Sequence, residues 1–235
     1  MASQQFEALF IKHGAASFDK QIYLKAMLGR SGWAFDLSSG VLAFRRPHEE
    51  NLQLNVQVLG TESEEARTWL WGWANPSGIP EGLLRSANEL KALGAELGVA
   101  ELTTPELPIT PTVDPQRIAL VACGAQRAGC FFRAPYPGGA IYLLIKDPRY
   151  KRSVTRPIPR ILRVFPMFLS DYPVGNQRAA LLSYLEFYRL AVQEEGRRII
   201  ATMKATVRAP LGAGAPTQLI AEFDQGDRFI AFRQA

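Results

Sequence analysis

With 235 residues, 47% of them hydrophobic and 21% charged, the chain has a globular composition and enough length to bury a core, which excludes a disordered tail and a disulfide-stapled scaffold. A net charge of +5 biases it only weakly toward anionic partners. The two cysteines, Cys123 and Cys130, offer neither a disulfide framework nor a CxxC metal pair. No signal peptide and no apolar run of about eighteen residues is visible, so a soluble protein of a reducing, cytoplasmic compartment is expected, with no membrane partner.

Residues 3–28 read as helix interrupted near Gly14, with Ser17 capping a second part that carries Phe18, Ile22 and Met27. Trp33, Phe35, Leu42 and Phe44 then alternate around Ser38-Ser39-Gly40 as a hairpin. Leu52, Leu54, Val56 and Val58 alternate with polar residues at period two, one dry face and one wet. Past an acidic turn, the same period places Trp69, Trp71 and Trp73 on one strand face, which completes a four-stranded meander.

Pro80 suits the first turn of a helix running to Leu97, and Asp114-Pro115 is an N-cap and N1 pair for a second one. Cys130 to Arg133 and Ala140 to Lys146 flank Pro137-Gly138-Gly139 as a hairpin. The segment from Pro148 to Pro173 carries five prolines, so a strand within it, such as Arg160 to Phe165, belongs at a sheet edge. Asn176 caps a long helix, 176–195, whose Leu181, Leu185, Tyr188 and Val192 share a face. Three final strands are expected at 197–207, 218–223 and 228–233.

Phe35-Asp36 followed by Ala43-Phe44-Arg45 is echoed by Phe223-Asp224 and Ala231-Phe232-Arg233. Duplication of a helix-plus-meander unit and convergence of two equal hairpins both explain the echo. The expected fold class is α+β, with antiparallel sheets each packed by helices. It is organised either as halves 1–100 and 101–235 or as one continuous domain.

Chemistry is sparse. The chain has no GxSxG elbow, Walker loop, HExxH, EF-hand loop or Rossmann fingerprint, and His13 and His48 are far apart without carboxylates at ligand spacing. No metal or cofactor is expected. Cys123 and Cys130 sit in apolar segments, as small buried hydrophobes do. Asp36 with Glu222 and Asp224 would form a carboxylate set if the two echoing hairpins met, although Asp36 and Asp224 stand where turns favour Asp.

Two features stand out. Trp33, Trp69, Trp71 and Trp73 supply a large aromatic surface, readable as helix-packing core or as an aromatic-lined ligand cleft. From Lys146 to Arg163 seven basic residues face one acid, and Lys151, Arg152, Arg156 and Arg160 read either as phosphate contacts or as the solvated guard of a proline-rich edge.

Trp69-Leu70-Trp71-Gly72-Trp73-Ala74-Asn75, preceded by Trp33-Ala34-Phe35-Asp36 and Gly40-Val41-Leu42-Ala43-Phe44, resembles an uncharacterised bacterial domain family of unknown function marked by a W-x-W-x-W-A-N strand. The similarity covers mainly residues 18–100 and implies a bacterial cytoplasmic protein, with no activity or catalytic residue to carry over. The residues then favour a non-catalytic binding or protein-interaction module, such as an accessory or immunity-type factor, whose partner is another protein. A tryptophan-lined ligand pocket or enzyme is the alternative, and an anion or nucleic-acid binder using the basic run is the third reading.

Overall fold

A computed structural model describes residues 2–47, 50–203 and 217–234. The chain forms two compact units, Met1–Phe10 with Lys20–Arg152 and Ile11–Asp19 with Ser153–Ala235. Its α+β fold contains two antiparallel sheets.

Ser3 opens α1 (Gln4–Leu28) by accepting the Phe6 amide proton on its hydroxyl, and Gly29, at φ +53°, ends it. The break expected at Gly14 is absent. A mid-helix glycine costs about 1 kcal/mol, whereas Phe6, Phe10, Phe18 and Leu24 are all buried, each contributing roughly 1.5–3 kcal/mol. Ser17, read as a cap, lies buried inside this continuous helix.

In the first unit, β1 (Gly32–Asp36) and β2 (Val41–Arg45) form the expected hairpin, and β3 (Leu52–Ser63) is the long central strand. β4 (Thr68–Trp71) ends before Trp73, which sits in the 3-10 turn Gly72–Ala74. Three indoles therefore do not share one strand. Gly72 permits the close approach at this change of course, because a Cβ there would stand 2.9 Å from Leu84 and 3.1 Å from the Leu59 carbonyl. The helix expected from Pro80 starts later, as α2 (Arg85–Leu97), with α3 (Ala100–Thr103) after it. β5 (Glu106–Pro108) pairs with β4. Asp114 caps α4 (Pro115–Ala125) as expected, accepting from the amides of Gln116 and Arg117. β6 (Cys130–Tyr136) and β7 (Gly139–Ile145) form the second expected hairpin.

The sheet order is β1-β2-β3-β4-β5, with β7 on the other side of β3 and β6 beyond it. A bulge at Leu59 shifts the register between Val58 opposite Leu143 and Gly60 opposite Tyr142. Both faces of the sheet are apolar. On one, Leu42, Phe44, Leu54, Val56, Val58, Cys130 and Leu143 pack with Leu24 of α1 and, at the margin, Leu83 and Leu84. On the other, Trp69, Trp71, Phe131, Tyr142 and Leu144 lie under α2 and α4. Leu54 and Val56 are buried as expected.

The second unit holds α5 (Pro157–Asp171), α6 (Gln177–Phe187) and a sheet of β8 (Ala191–Glu195), β9 (Arg198–Thr202), β10 (Gln218–Phe223) and β11 (Phe229–Gln234), in the order β11-β10-β9-β8. Two expectations fail here. The proline-rich segment is a helix and not an edge strand: Pro157 and Pro159 fall in its first turn, where no N–H is required. Ile158, Ile161, Phe165 and Phe168 meanwhile bury one helical face. The helix expected over 176–195 stops at Phe187, because Arg189 turns left-handed at φ +56° and the chain returns as the hairpin β8–β9 around Gly196. Val192 thus pairs with Ala201 on a strand. Leu181, Leu185 and Phe223 are buried as expected.

Candidate functional site

The first sheet is curled and open, so it has three lateral edges that face no further strand: β1, β6 and β5, the last only three residues long and ending in Pro108. An edge strand presents unpaired N–H and C=O groups that template pairing with another chain, and proteins usually guard it. β6 is guarded. The Gln21 amide of α1 donates to the Phe131 carbonyl at 2.9 Å, and Lys20 Nζ donates to the Ala128 carbonyl at 2.8 Å, just ahead of the strand. Pro135 further removes a donor within the strand.

β1 carries none of these devices. It has no proline, no lysine and no bulge against β2, and four of its five residues are exposed. Trp33 lies opposite Phe44 in the β1–β2 register. Its ring meets Phe132 edge-to-face at 5.5 Å, Phe132 in turn meets Phe44 at 5.1 Å, and the indole remains 38% exposed. Leu37, just past the strand, is exposed as well. An aromatic seam therefore runs from the core to solvent beside an open backbone edge.

The other three tryptophans are placed differently. Trp69 and Trp71 are fully buried, edge-to-face with each other at 5.4 Å, and Trp69 meets Tyr142 at 5.3 Å. Trp71 donates its indole N–H to the Glu101 carbonyl at 2.9 Å, while that of Trp69 is enclosed by aromatic packing without a hydrogen-bond partner. Gly60 makes room, since a Cβ there would lie 2.6 Å from the Trp69 ring. Trp73, half-buried, stacks on Trp71 at 6.5 Å and carries Lys91 Nζ 4.0 Å above its ring. The fold brings Trp69, Trp71 and Trp73 together in one cluster, and Trp33 lies on the other face of the sheet.

A polar constellation that sequence reasoning missed closes the far end of β3. Glu62 accepts from Arg133 Nε and from the Tyr142 hydroxyl, both at 3.0 Å, and Gln116 donates to Tyr142 at 3.3 Å. Burial, with the Glu62 charge beside it, pushes the Tyr142 phenol above its ordinary pKa, and burial also raises that of Asp114. Each of these groups is engaged by another protein group, which describes a network that fixes the sheet end. Only the bulge at Leu59 puts Glu62 and Tyr142 on one face, and no local signal reports it.

A family model described as "Family of unknown function (DUF6882)" matches residues 7–148, more than half of the chain. The chain belongs to that family. Comparison with curated proteins and with solved structures returns no match. The matched residues of DUF6882 hold all seven strands of the first sheet, including the open edge β1 and the tryptophan cluster, whereas β8 to β11 lie outside them.

Lys151, Arg152, Arg156 and Arg160 of the basic run also lie outside the family match. Lys151 and Arg152 end the first unit, with Lys151 exposed, while Arg156 and Arg160 belong to the second. Arg156 is exposed just ahead of α5, but Arg160 is committed to the fully buried carboxylate of Asp19, which also accepts from the Tyr188 hydroxyl. The carboxylates noted in the two hairpins have local duties. Asp36 accepts from the Ser38 amide and the hydroxyls of Ser38 and Ser39, Asp224 from the amides of Gly226 and Arg228, and Glu222 pairs with Arg198 and Arg233. Both cysteines are buried, and burial pushes the Cys130 thiol well up. His13 lies half-buried in α1, and His48 falls outside the described residues. Among the described residues no group of His, Cys, Asp and Glu could hold a metal ion, and no helix is long and apolar enough to cross a membrane.

Proposed function

We propose that this member of DUF6882 is a non-catalytic protein-interaction module of the bacterial cytoplasm, an accessory factor that takes up an extended segment of a protein partner alongside β1. One observation carries the reading: of the three edges of the first sheet, β6 is covered by α1 side chains and proline and β5 is three residues long and ends in proline, while β1 is left open beside a part-exposed tryptophan. Main-chain pairing along an edge supplies affinity, and a pocket or ring for alternate side chains supplies choice of partner. Trp33 has the anchor properties found at interface centres, a large apolar area with a polar tip.

The tryptophan-lined pocket is the weaker reading, because Trp69 and Trp71 are spent on the core. The anion-binding reading of Lys151, Arg152, Arg156 and Arg160 loses its fourth member to Asp19. The reading is tested by placing a photoreactive side chain at Leu37, beside the edge, and at Glu96 on α2 as an exposed control, in the full chain in its own cells. A protein adduct at 37 and none at 96 is expected. Equal labelling at both positions, or adducts at 96 alone, would remove β1 as the contact surface.

A further inference from the structure

Resting on the reading of β1 as a docking edge, we infer that its occupant is the β1 strand of a second copy of this chain, added antiparallel about a two-fold axis through Trp33. The charges around the strand select that arrangement. Arg30 precedes β1 and Asp36 ends it, both exposed, with only small and apolar side chains and Ser31 between them. An antiparallel copy centred on Trp33 sets Arg30 opposite Asp36 of the partner copy at both ends, and a parallel copy would set like charge beside like charge. Sliding the register by two residues, so that Trp33 faces Phe35 of the other copy, leaves Arg30 opposite Ser38 and removes both charge pairs.

Side-chain alternation agrees with this register. Residues directly opposite in an antiparallel pair share a face, so Trp33 meets Trp33 on the face already lined by Phe132 and Phe44. Gly32 meets Ala34 on the other face, where neither side chain obstructs a close approach. A C2 interface repeats every contact, so the ion pair and the Phe35 to Ser31 contact each occur twice. Five residues span only about 17 Å of strand, well short of a standard interface. The association is therefore weak, concentration-dependent and reduced by salt.

Sedimentation equilibrium of the full chain across a concentration series should show monomer and dimer. Arg30→Glu and Asp36→Lys should each weaken association on the order of tenfold, because like charges then face each other twice, and an equimolar mixture of the two variants should recover it. Asp36 also holds the β1–β2 turn, so the register is read independently with a variant that leaves it intact. Trp33→Cys should oxidise to a disulfide-linked dimer, since self-opposed residues fall within disulfide reach, whereas Ala34→Cys should not. A chain that stays monomeric throughout, no recovery on mixing, or equal coupling at 33 and 34 would overturn the two-fold strand pair. If the chain is monomeric but a photoreactive group at Leu37 labels a different protein, the second copy is excluded while the docking edge stands. If it is monomeric and labels nothing at Leu37, both fall.

Discussion

Gly60→Ala is the sharpest test of how the first sheet packs. A Cβ at this position would lie 2.4 Å from the Leu70 carbonyl oxygen and 2.6 Å from the Trp69 ring. Neither neighbour can give easily, since Leu70 lies in a paired strand and Trp69 is wedged between Trp71 and Tyr142. Overpacking costs about 1–3 kcal/mol in well-packed cores, and two stiff contacts put this one near about 3 kcal/mol. With a urea dependence on the order of 2 kcal/mol per molar, the midpoint should fall by about 1.5 M. All four tryptophans belong to the first unit, so indole fluorescence follows its unfolding. Gly82→Ala is the matched control: its Cβ meets open space, and stability should be unchanged or raised by up to about 1 kcal/mol. Equal midpoints for the two variants would refute the packing of Trp69 over Gly60, and with it the assignment of that indole to the core.

Asp19→Ala in the second unit should cost about 3 kcal/mol, because it strips the Arg160 guanidinium of a fully buried counter-charge; a loss below about 1 kcal/mol by circular dichroism would show that the pair is not structural. Hydrogen bonds from Ser39 and then Ser38 hold the Asp36 carboxyl at about 2, below its ordinary 3.8. An NMR titration should find it there and Ser39→Ala should move it upward, while an unshifted wild-type value would contradict the turn geometry. The sign follows from linkage: a depressed carboxyl supports the fold above its unfolded pKa and loses that support as pH falls toward 2. Neither cysteine should react with a thiol reagent until the protein is denatured, since both are buried and Cys130 is held protonated; rapid labelling of the native chain would show one of them exposed.

Local signals reached the parts of the fold that local physics decides. The alternation of β3, the Asp114-Pro115 start of α4, the turn between β6 and β7 and the Asn176 cap of α6 each rest on a few adjacent residues, and each stands. Prolines misdirected the reading of α5, because three of the five fall inside the helix. Two are in its first turn, and Pro166 forgoes one hydrogen bond while Phe165 and Phe168 fill the core. The spacing of Ile158, Ile161, Phe165 and Phe168 was the helical signal available there. Val192 continued the period of α6 by coincidence, and pairing with β9 overrode it. The site was half legible. Trp33 was singled out, but whether an indole is core or surface depends on which strand is an edge, and the joining of β7 to β3 across about eighty residues leaves no local trace.

Amide hydrogen exchange at β1 tests the docking edge most directly. It compares the purified full chain held dilute with the same chain in the assembly recovered from its cells. The account predicts that the amides of Trp33 and Phe35, which alternate with those paired to β2 and point to the open edge, gain protection on assembly while those of α2 do not change. Protection gained on α2 or β8 with β1 unaltered would contradict it.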